Sequence, residues 1–251
     1  MSRRNRARIG FRGRLARSLT GRQPSGPTST LLNGLVAYWK LDEASGSRAD
    51  SGPNGATLAD NATVTQGAGK QGNAAQFTNA NSEFLSSASA AINPPATDSY
   101  TFSCWVNLDS IAAARTVFSR YGGASDRAFL LHFNAPDGKF YFYGHNTVPT
   151  QQAVASSVAN TIGAWYHIVC YRDYPNGTVG IIINDGPAAT ASLSNAAPNQ
   201  SSTTTFRLGQ FNAGSFMDGR IDEMGFWSRL LTPAEITALY AGGAGVTHPA
   251  F

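Results

Sequence analysis

The sequence is poor in charged residues, in cysteine and in long hydrophobic runs. Charged residues make up 14% of its 251 residues, and there are two cysteines. The low charge, together with 26 glycines, favours short strands joined by many turns over solvated helices. Two cysteines cannot build a disulfide framework, so Cys104 and Cys170 are expected to be buried free thiols. No run approaches the ~18 apolar residues of a membrane-spanning helix.

Acidic residues are absent before Asp42, whereas arginine is concentrated at the start of the chain. Eight of the 19 basic residues lie in the first 22 positions: Arg3, Arg4, Arg6, Arg8, Arg12, Arg14, Arg17 and Arg22. The whole chain carries a net charge of +4, but the remainder has 11 basic residues against 15 acidic ones. We expect residues 1–33 to be a disordered arm and linker that binds an acidic protein shell or another polyanion.

The charged start is not followed by the apolar stretch of ~7–15 residues that a secretory signal requires. No signal peptide is therefore expected. The sequence favours a cytoplasmically made component of a larger assembly, such as a virion. A homo-oligomer fits the same hypothesis.

Residues 34–251 read as one all-β domain of about ten to twelve short strands. The tetrapeptides APDG (135–138) and YPNG (174–177) each separate two strand-like runs and predict two hairpins. The run KFYFYGHN (139–146) alternates, so Phe140 and Phe142 should face the core while the tyrosines face outward. This spacing predicts a two-sheet antiparallel sandwich.

One short helix is predicted near the C-terminus. Thr232 is a candidate N-cap, Pro233 suits the first helical position, and Glu235 completes a capping box. Gly242 can end the helix in the left-handed conformation. The apolar face of this helix is expected to pack on the edge of the sandwich.

The order of motifs along the chain resembles a laminin-G-like jelly roll of the concanavalin-A-like lectin/glucanase superfamily. The motifs are GLVAYWKLDEASG (34–46), DSGPNG (50–55), GKQGNAAQF (69–77), YTFSCWVN (100–107), TVFSR (116–120), AWYHIVCYRD (164–173), TVGIIINDG (178–186), FRLGQF (206–211) and GRIDEMGFWSRLLTPAEITALY (219–240). The first three are also similar to modules in virion structural proteins of tailed phages. The resemblance implies a jelly-roll fold and a binding surface.

The same superfamily includes glycanases, which place acids on alternate positions of one strand in an E-x-D-x-x-E pattern. That pattern is missing here. Asp222 and Glu223 are adjacent on a predicted strand and are expected to face opposite sides, so they would not form the usual carboxylate pair about 5–9.5 Å apart. His132 and His167, inside strands, are interpreted as hydrogen-bonded sheet residues rather than metal ligands. The sequence therefore predicts that the protein is not an enzyme.

Two candidate sites remain. The resemblance implies a Ca²⁺ site, for which Asp42, Asp50 and Asp222 are the best positions; the alternative is that these acids form turns and strand surface. A glycan site would combine aromatic rings with polar groups. Its candidate residues are Tyr141, Tyr143, His145, Asn146, Asp126, Arg127 and Asn134; the alternative is that the tyrosines only cover an outer sheet face.

The leading functional hypothesis is a non-catalytic recognition or adhesion module that binds a glycan or protein surface and is tethered to a larger assembly by its arm. The alternative is a virion structural protein of a tailed phage, such as a capsid decoration or tail component. The third is a degenerate glycoside hydrolase.

Overall fold

The computed structural model describes residues 30–123, 126–147, 151–156, 160–194, 197–211 and 214–248, and it confirms the two-sheet antiparallel sandwich. The arginine-rich arm lies outside these residues. The strands are β1 (Leu35–Trp39), β2 (Ala59–Asn61), β3 (Thr65–Ala68), β4 (Asn73–Phe77), β5 (Phe84–Ser87), β6 (Tyr100–Leu108), β7 (Arg115–Gly123), β8 (Asp126–Asn134), β9 (Lys139–His145), β10 (Gln151–Ala155), β11 (Trp165–Asp173), β12 (Thr178–Ile183), β13 (Ala189–Ser192), β14 (Phe206–Leu208) and β15 (Gly219–Trp227). One α-helix, α1 (Pro233–Tyr240), follows them.

The strands form an eight-stranded first sheet and a seven-stranded second sheet. The first sheet has the order β13-β12-β11-β6-β15-β4-β3, and β1 also pairs with β15. The second sheet has the order β10-β9-β8-β7-β14-β5-β2. The chain passes repeatedly between the two sheets, with β7 to β10 all in the second sheet and β11 to β13 all in the first, and the antiparallel pairing agrees with the jelly-roll fold predicted from the motifs.

A cluster of phenylalanines from both sheets forms the centre of the core. Phe102 of the first sheet stacks on Phe226 at 4.4 Å between ring centroids and contacts Phe129 of the second sheet at 4.5 Å. All three are completely buried. Each buried phenylalanine contributes about 1.5–3 kcal/mol to folding, and such ring pairs add about 0.5–1.5 kcal/mol. This cluster holds the two sheets face to face.

Both predicted hairpins are present. Gly138 follows β8 with φ +67°, Gly177 follows β11 with φ +60°, and each donates its N–H to a carbonyl earlier in its turn. Glycine takes this left-handed conformation without the steric cost that a side chain would meet. Because the turns fix the register, Asn134 pairs with Lys139 and Asp173 pairs with Thr178.

The helix α1 begins with the predicted capping box, in which Thr232 and Glu235 satisfy each other's backbone N–H groups. It ends at Tyr240, and Ala241 takes the left-handed conformation one residue before Gly242. The helix packs Ile236 and Leu239 on the outer face of the first sheet rather than on its edge. No described helix is long and apolar enough to span a membrane.

The helix lies on the outer face of the first sheet because that face is itself apolar. Tyr38, Val169 and Trp227 form a second hydrophobic cluster there with Leu31. Leu31, which the sequence analysis assigns to the linker, is completely buried, and its carbonyl accepts a hydrogen bond from Trp227 Nε1 at 2.7 Å. The packed structure therefore includes residues that precede β1.

The two cysteines are free and buried, as expected. They lie on the adjacent strands β6 and β11, where Cys104 pairs with Ile168 and Cys170 with Phe102. The thiols therefore belong to the core. Burial raises the pKa of both thiols, which keeps them protonated and unreactive near neutral pH.

Candidate functional site

A groove rich in aromatic side chains lies on the outer face of the second sheet. It has a volume of about 260 Å³. We call it the aromatic groove and define it by its lining residues: Ala114, Thr116, Tyr121, Leu130, His132, Tyr143, Phe211 and Ser215. Ligand pockets span about 300–1,000 Å³, so this volume suits one sugar ring or the end of an oligosaccharide.

Three neighbouring strands place the main side chains of the groove in register. Thr116 on β7 is the partner of His132 on β8, which in turn pairs with Tyr141 on β9. Leu130 pairs with Tyr143 one step further along the same strands. Since side chains at alternate positions share a face, all five lie on the outer face of the sheet.

The rings in and beside the groove form two contacting groups. His132, Tyr143 and Tyr141 form a triangle of rings, with the His132 centroid 5.3 Å from that of Tyr143 and 5.9 Å from that of Tyr141, and the two tyrosine centroids 6.5 Å apart. On the other side, Phe211 contacts Tyr121 edge to face at 4.8 Å. The rings are only half-buried and therefore keep apolar surface open to a ligand.

Burial sets the protonation state of the groove. It lowers the pKa of His132, so the imidazole is neutral near pH 7, and it raises the pKa of Tyr143. The Tyr141 hydroxyl donates a hydrogen bond to Asp137 at 2.6 Å, which raises the pKa of Tyr141 and lowers that of Asp137. The groove thus offers neutral donors and acceptors near pH 7.

The structure distributes the glycan-site residues chosen from the sequence over three environments. Tyr143 lines the groove, and Tyr141 lies beside it, in ring contact with both His132 and Tyr143. His145 and Asn146 are buried, with exposed fractions of 1% and 0%. Asn146 donates a hydrogen bond to the carbonyl of Ser194, so it ties two loops together beneath the surface.

The other three residues do not line the groove and bond to neighbouring side chains and loops. Asp126 accepts hydrogen bonds from Thr203 and Thr204 at 2.8–2.9 Å. Burial alone would raise the pKa of Asp126, but hydrogen bonds from the 202–204 loop lower it to about 2. Arg127 donates to the Tyr121 hydroxyl at 3.1 Å. Asn134 donates to Asp137 within the hairpin turn.

Sequence reasoning did not assign several groove residues, and one of them could have been found. Counting back from the APDG turn pairs Asn134 with Lys139 and therefore His132 with Tyr141, which puts the imidazole beside the tyrosines. His132 is a strand residue, as interpreted from the sequence, but its position beside the tyrosines was not recognised there. Phe211 and Ser215 reach the groove through a loop, and no sequence pattern indicates it.

The three aspartates chosen for Ca²⁺ all accept backbone hydrogen bonds. Asp42 accepts the N–H of Asn73, and Asp50 accepts those of Tyr38, Gly52 and Ala56. Among the described residues, no group of three or more His, Cys, Asp or Glu side chains is arranged to hold a metal ion. The geometry thus gives these acids a role in tying loops together, and Ca²⁺ binding stays a prediction.

Asp222 and Glu223 do not face opposite sides, contrary to the sequence expectation. A β-bulge shifts the register of β15 between Asp222 and Gly225, and Glu223 has φ +48°. Asp222 accepts hydrogen bonds from the backbone N–H groups of Lys70 and Gln71, and Glu223 accepts one from the Tyr38 hydroxyl. Both carboxylates therefore lie on the outer face of the first sheet.

Burial dominates the titration of this acid pair. It raises the pKa of Asp222 to about 8 and that of Glu223 to about 7, although backbone and side-chain hydrogen bonds oppose the rise. Both side chains are at least 97% buried, since their exposed fractions are 0% and 3%. The pair is therefore packed into the protein rather than facing an open cleft.

A further cavity of about 280 Å³ lies beside the contact of α1 with β11 and β12. Its lining includes Val169, Ile182, Leu231 and Ile236, with Tyr171 as its aromatic residue. It lacks a cluster of aromatic side chains in its lining, so the aromatic groove is the better candidate for binding a sugar ring.

The sequence matches a family model, Laminin_G_3, which describes the concanavalin A-like lectin/glucanases superfamily, over residues 71–237. This match covers well over half of the chain. No curated protein sequence matches the chain significantly.

Solved structures share the fold at low sequence identity. The binding domain of Paraclostridial Mosquitocidal Protein 1 is 15% identical, with a TM-score of 0.68, over 84% of this chain and 52% of that one. The ligand binding domain of botulinum neurotoxin serotype D, solved with N-acetylneuraminic acid, is 10% identical, with a TM-score of 0.64, over 86% and 53%. The chain thus spans about half the length of these toxin domains.

A third similar structure matches over almost its whole length. Domain 4 of AbnA, an extracellular GH43 arabinanase from Geobacillus stearothermophilus solved in complex with arabinotriose, is 21% identical, with a TM-score of 0.58. The match covers 81% of this chain and 97% of that domain.

Proposed function

The chain belongs to the concanavalin A-like lectin/glucanase superfamily, and we propose that it is a non-catalytic module that binds a glycan in the aromatic groove. The observation that carries the proposal is the half-buried cluster of the Tyr143, His132 and Tyr141 rings, which lies at a cavity of about 260 Å³. Aromatic rings offer apolar faces on which the C–H side of a sugar ring packs, and the polar edges of these residues can bond its hydroxyls.

The surroundings of the groove support binding rather than hydrolysis. Its described lining includes no carboxylate. The nearby carboxylates of Asp126 and Asp137 are hydrogen-bonded to neighbouring side chains, and the pKa of each is lowered, so neither is suited to act as a general acid near pH 7. The names of the similar structures, two binding domains and a domain in complex with a sugar, point the same way.

Glycan-array profiling of the full chain tests this function. We expect selective binding by the wild type, and a loss of most of the signal in Tyr143→Ala and His132→Ala. Tyr171→Ala is the matched control, because Tyr171 is also half-buried but lies on the first sheet beside the other cavity. Equal binding by all variants, or no binding by the wild type, would contradict the proposal.

The proposal includes an anchoring role for the arginine-rich arm, which its charge supports. Eight arginines and no acids in the first 22 residues would attract an acidic surface, while the rest of the chain has a net negative charge. Replacing all eight by glutamine in the full chain should abolish salt-sensitive retention on heparin. Unchanged retention would contradict the anchoring role of the arm.

Light scattering on the full chain tests the alternative role, a structural subunit of a virion. Concentration-dependent assembly without glycan binding would favour that role, whereas a monomer that binds glycans would favour recognition.

A further inference from the structure

The aromatic groove has an uncharged lining. Its described residues are three aromatic rings with polar atoms, two hydroxyl residues, and Phe211, Leu130 and Ala114. The stretches between residues 123 and 214 that the structure does not describe are also free of charged residues in sequence. Arg127 donates a hydrogen bond to the lining residue Tyr121 but is not itself part of the lining. A ligand carboxylate in this groove would lose its hydration without gaining a charged partner from the lining.

A single buried hydroxyl lies at the floor of the groove. Thr116 lines the cavity and is 0% exposed, and its Oγ1 has no hydrogen-bond partner in the part of the chain that the structure describes. Its backbone N–H donates a hydrogen bond to the carbonyl of Ser215, so the backbone group is paired while the side-chain hydroxyl is not. Because buried hydroxyls are almost always paired, this atom indicates a place for a ligand group.

His132 supplies a second neutral group beside Thr116, since the two residues are cross-strand partners. A hydroxyl and a neutral imidazole can each donate and accept one hydrogen bond, which matches a sugar hydroxyl. A carboxylate only accepts hydrogen bonds, so it could use the donor of each group but would leave their acceptors unused, and neither group supplies a positive charge to offset its lost hydration. The rings of Tyr143 and Tyr121 border the same cavity and can pack against the apolar side of such a ligand.

We propose that the aromatic groove selects neutral sugars over acidic ones, and that Thr116 Oγ1 is its specificity-determining hydrogen-bond group on the floor of the cavity. This inference rests on the proposed glycan-binding function. It separates two ligand classes that occur in the similar structures, a neutral arabinose oligosaccharide and an acidic sialic acid.

The first test compares sugars that differ in a single carboxylate. Methyl glycosides of glucose, galactose and arabinose, together with the methyl glycosides of glucuronic and galacturonic acid, are titrated into the full chain by saturation-transfer NMR. We expect at least one neutral glycoside to bind about ten-fold or more tightly than its acidic counterpart. Acidic sugars that bind as tightly as neutral ones would overturn the selectivity.

The second test changes the floor of the groove. Thr116→Val keeps the shape of the side chain but removes the hydroxyl, and it should weaken neutral-sugar binding about ten-fold. Thr116→Ser keeps the hydroxyl and should bind nearly as the wild type does. Thr190→Val, an exposed threonine on β13 of the first sheet, is the matched control.

Stability separates a binding role of Thr116 from a structural one. Because its Oγ1 has no partner, we expect Thr116→Val to unfold at the same temperature as the wild type or higher. Unchanged sugar affinity in Thr116→Val would overturn the role of this residue, and so would a loss of affinity in Thr190→Val. If array glycans bind without a neutral preference, only this inference fails; if no glycan binds, the proposed function fails with it.

Discussion

The buried carboxylate of Glu235 joins the segment before β1, the segment that follows β15, and α1. Arg229 donates two hydrogen bonds to it at 2.7 and 2.8 Å, and the Thr30 hydroxyl and the backbone N–H of Thr232 donate two more. Its side chain is only 3% exposed. Glu235→Gln would keep the size of the side chain but remove the charge that pairs with the guanidinium, leaving Arg229 with a weaker partner.

The size of this effect follows from the pKa of Glu235. Burial raises it, but the hydrogen bonds from Arg229, Thr30 and Thr232 outweigh burial and lower it from 4.5 to about 2. Since one pKa unit corresponds to about 1.4 kcal/mol, this fall corresponds to about 3.5 kcal/mol at pH 7. The Arg229 side chain is 28% exposed, and solvent screening of the pair reduces the expected contribution of the charged form to roughly 2–3 kcal/mol. A lowered pKa means that this stabilisation is complete above about pH 4.5 and is lost as the pH falls towards 2.

Urea unfolding, followed by tryptophan fluorescence at pH 7 and pH 3, measures this contribution. We expect Glu235→Gln to lower the free energy of unfolding by roughly 2–3 kcal/mol at pH 7 and by clearly less at pH 3. Glu43→Gln is the control: Glu43 is 35% exposed and 3.9 Å from Arg48, so it should cost less than about 1 kcal/mol. If the two variants lose the same free energy of unfolding, or if the loss in Glu235→Gln does not change with pH, the charge of Glu235 does not make the stabilising contribution expected here.

Three further predictions follow from named contacts. Asp50→Ala should lower the free energy of unfolding by about 2–3 kcal/mol, with or without a chelator, because its carboxylate accepts three backbone N–H groups. Cys104 and Cys170 should react with a thiol reagent at pH 8 only after urea unfolding. In thermal melts, Gly219→Ala should be far more destabilising than Gly46→Ala. Both glycines have positive φ, but a Cβ at Gly219 would lie 2.1 Å from the carbonyl oxygen of Asn107, whereas a Cβ at Gly46 would have no atom within 4 Å.

Local sequence signals predicted much of this structure because they act over a few residues. The APDG turn sets the register of β8 and β9, and the alternation of KFYFYGHN then puts Phe140 in the core and Tyr141 outside. The capping box at Thr232 likewise depends on residues three positions apart, and the structure confirms it. Composition and motif order were enough for the sandwich itself.

Features that depend on distant contacts could not be predicted. The bulge that turns Glu223 onto the same face as Asp222 lies where β15 changes partner, from β4 in its first half to β1 in its second half. The groove is completed by Phe211, which reaches Tyr121 from a separate loop. The alternation of β9 assigns Tyr143 and Tyr141 to the candidate site, and the register of the APDG turn adds His132, but the residues from the other strand and the loop could not be assigned.

Chemical-shift mapping of the full chain, titrated with the oligosaccharide that binds most strongly on the array, tests directly whether the aromatic groove is the binding site. We expect the perturbed amides to cluster on β7, β8 and β9 around Thr116, His132 and Tyr143, and Tyr143→Ala to abolish the perturbations. Perturbations confined to the outer face of the first sheet, around Tyr171 and Ile236, would contradict this assignment.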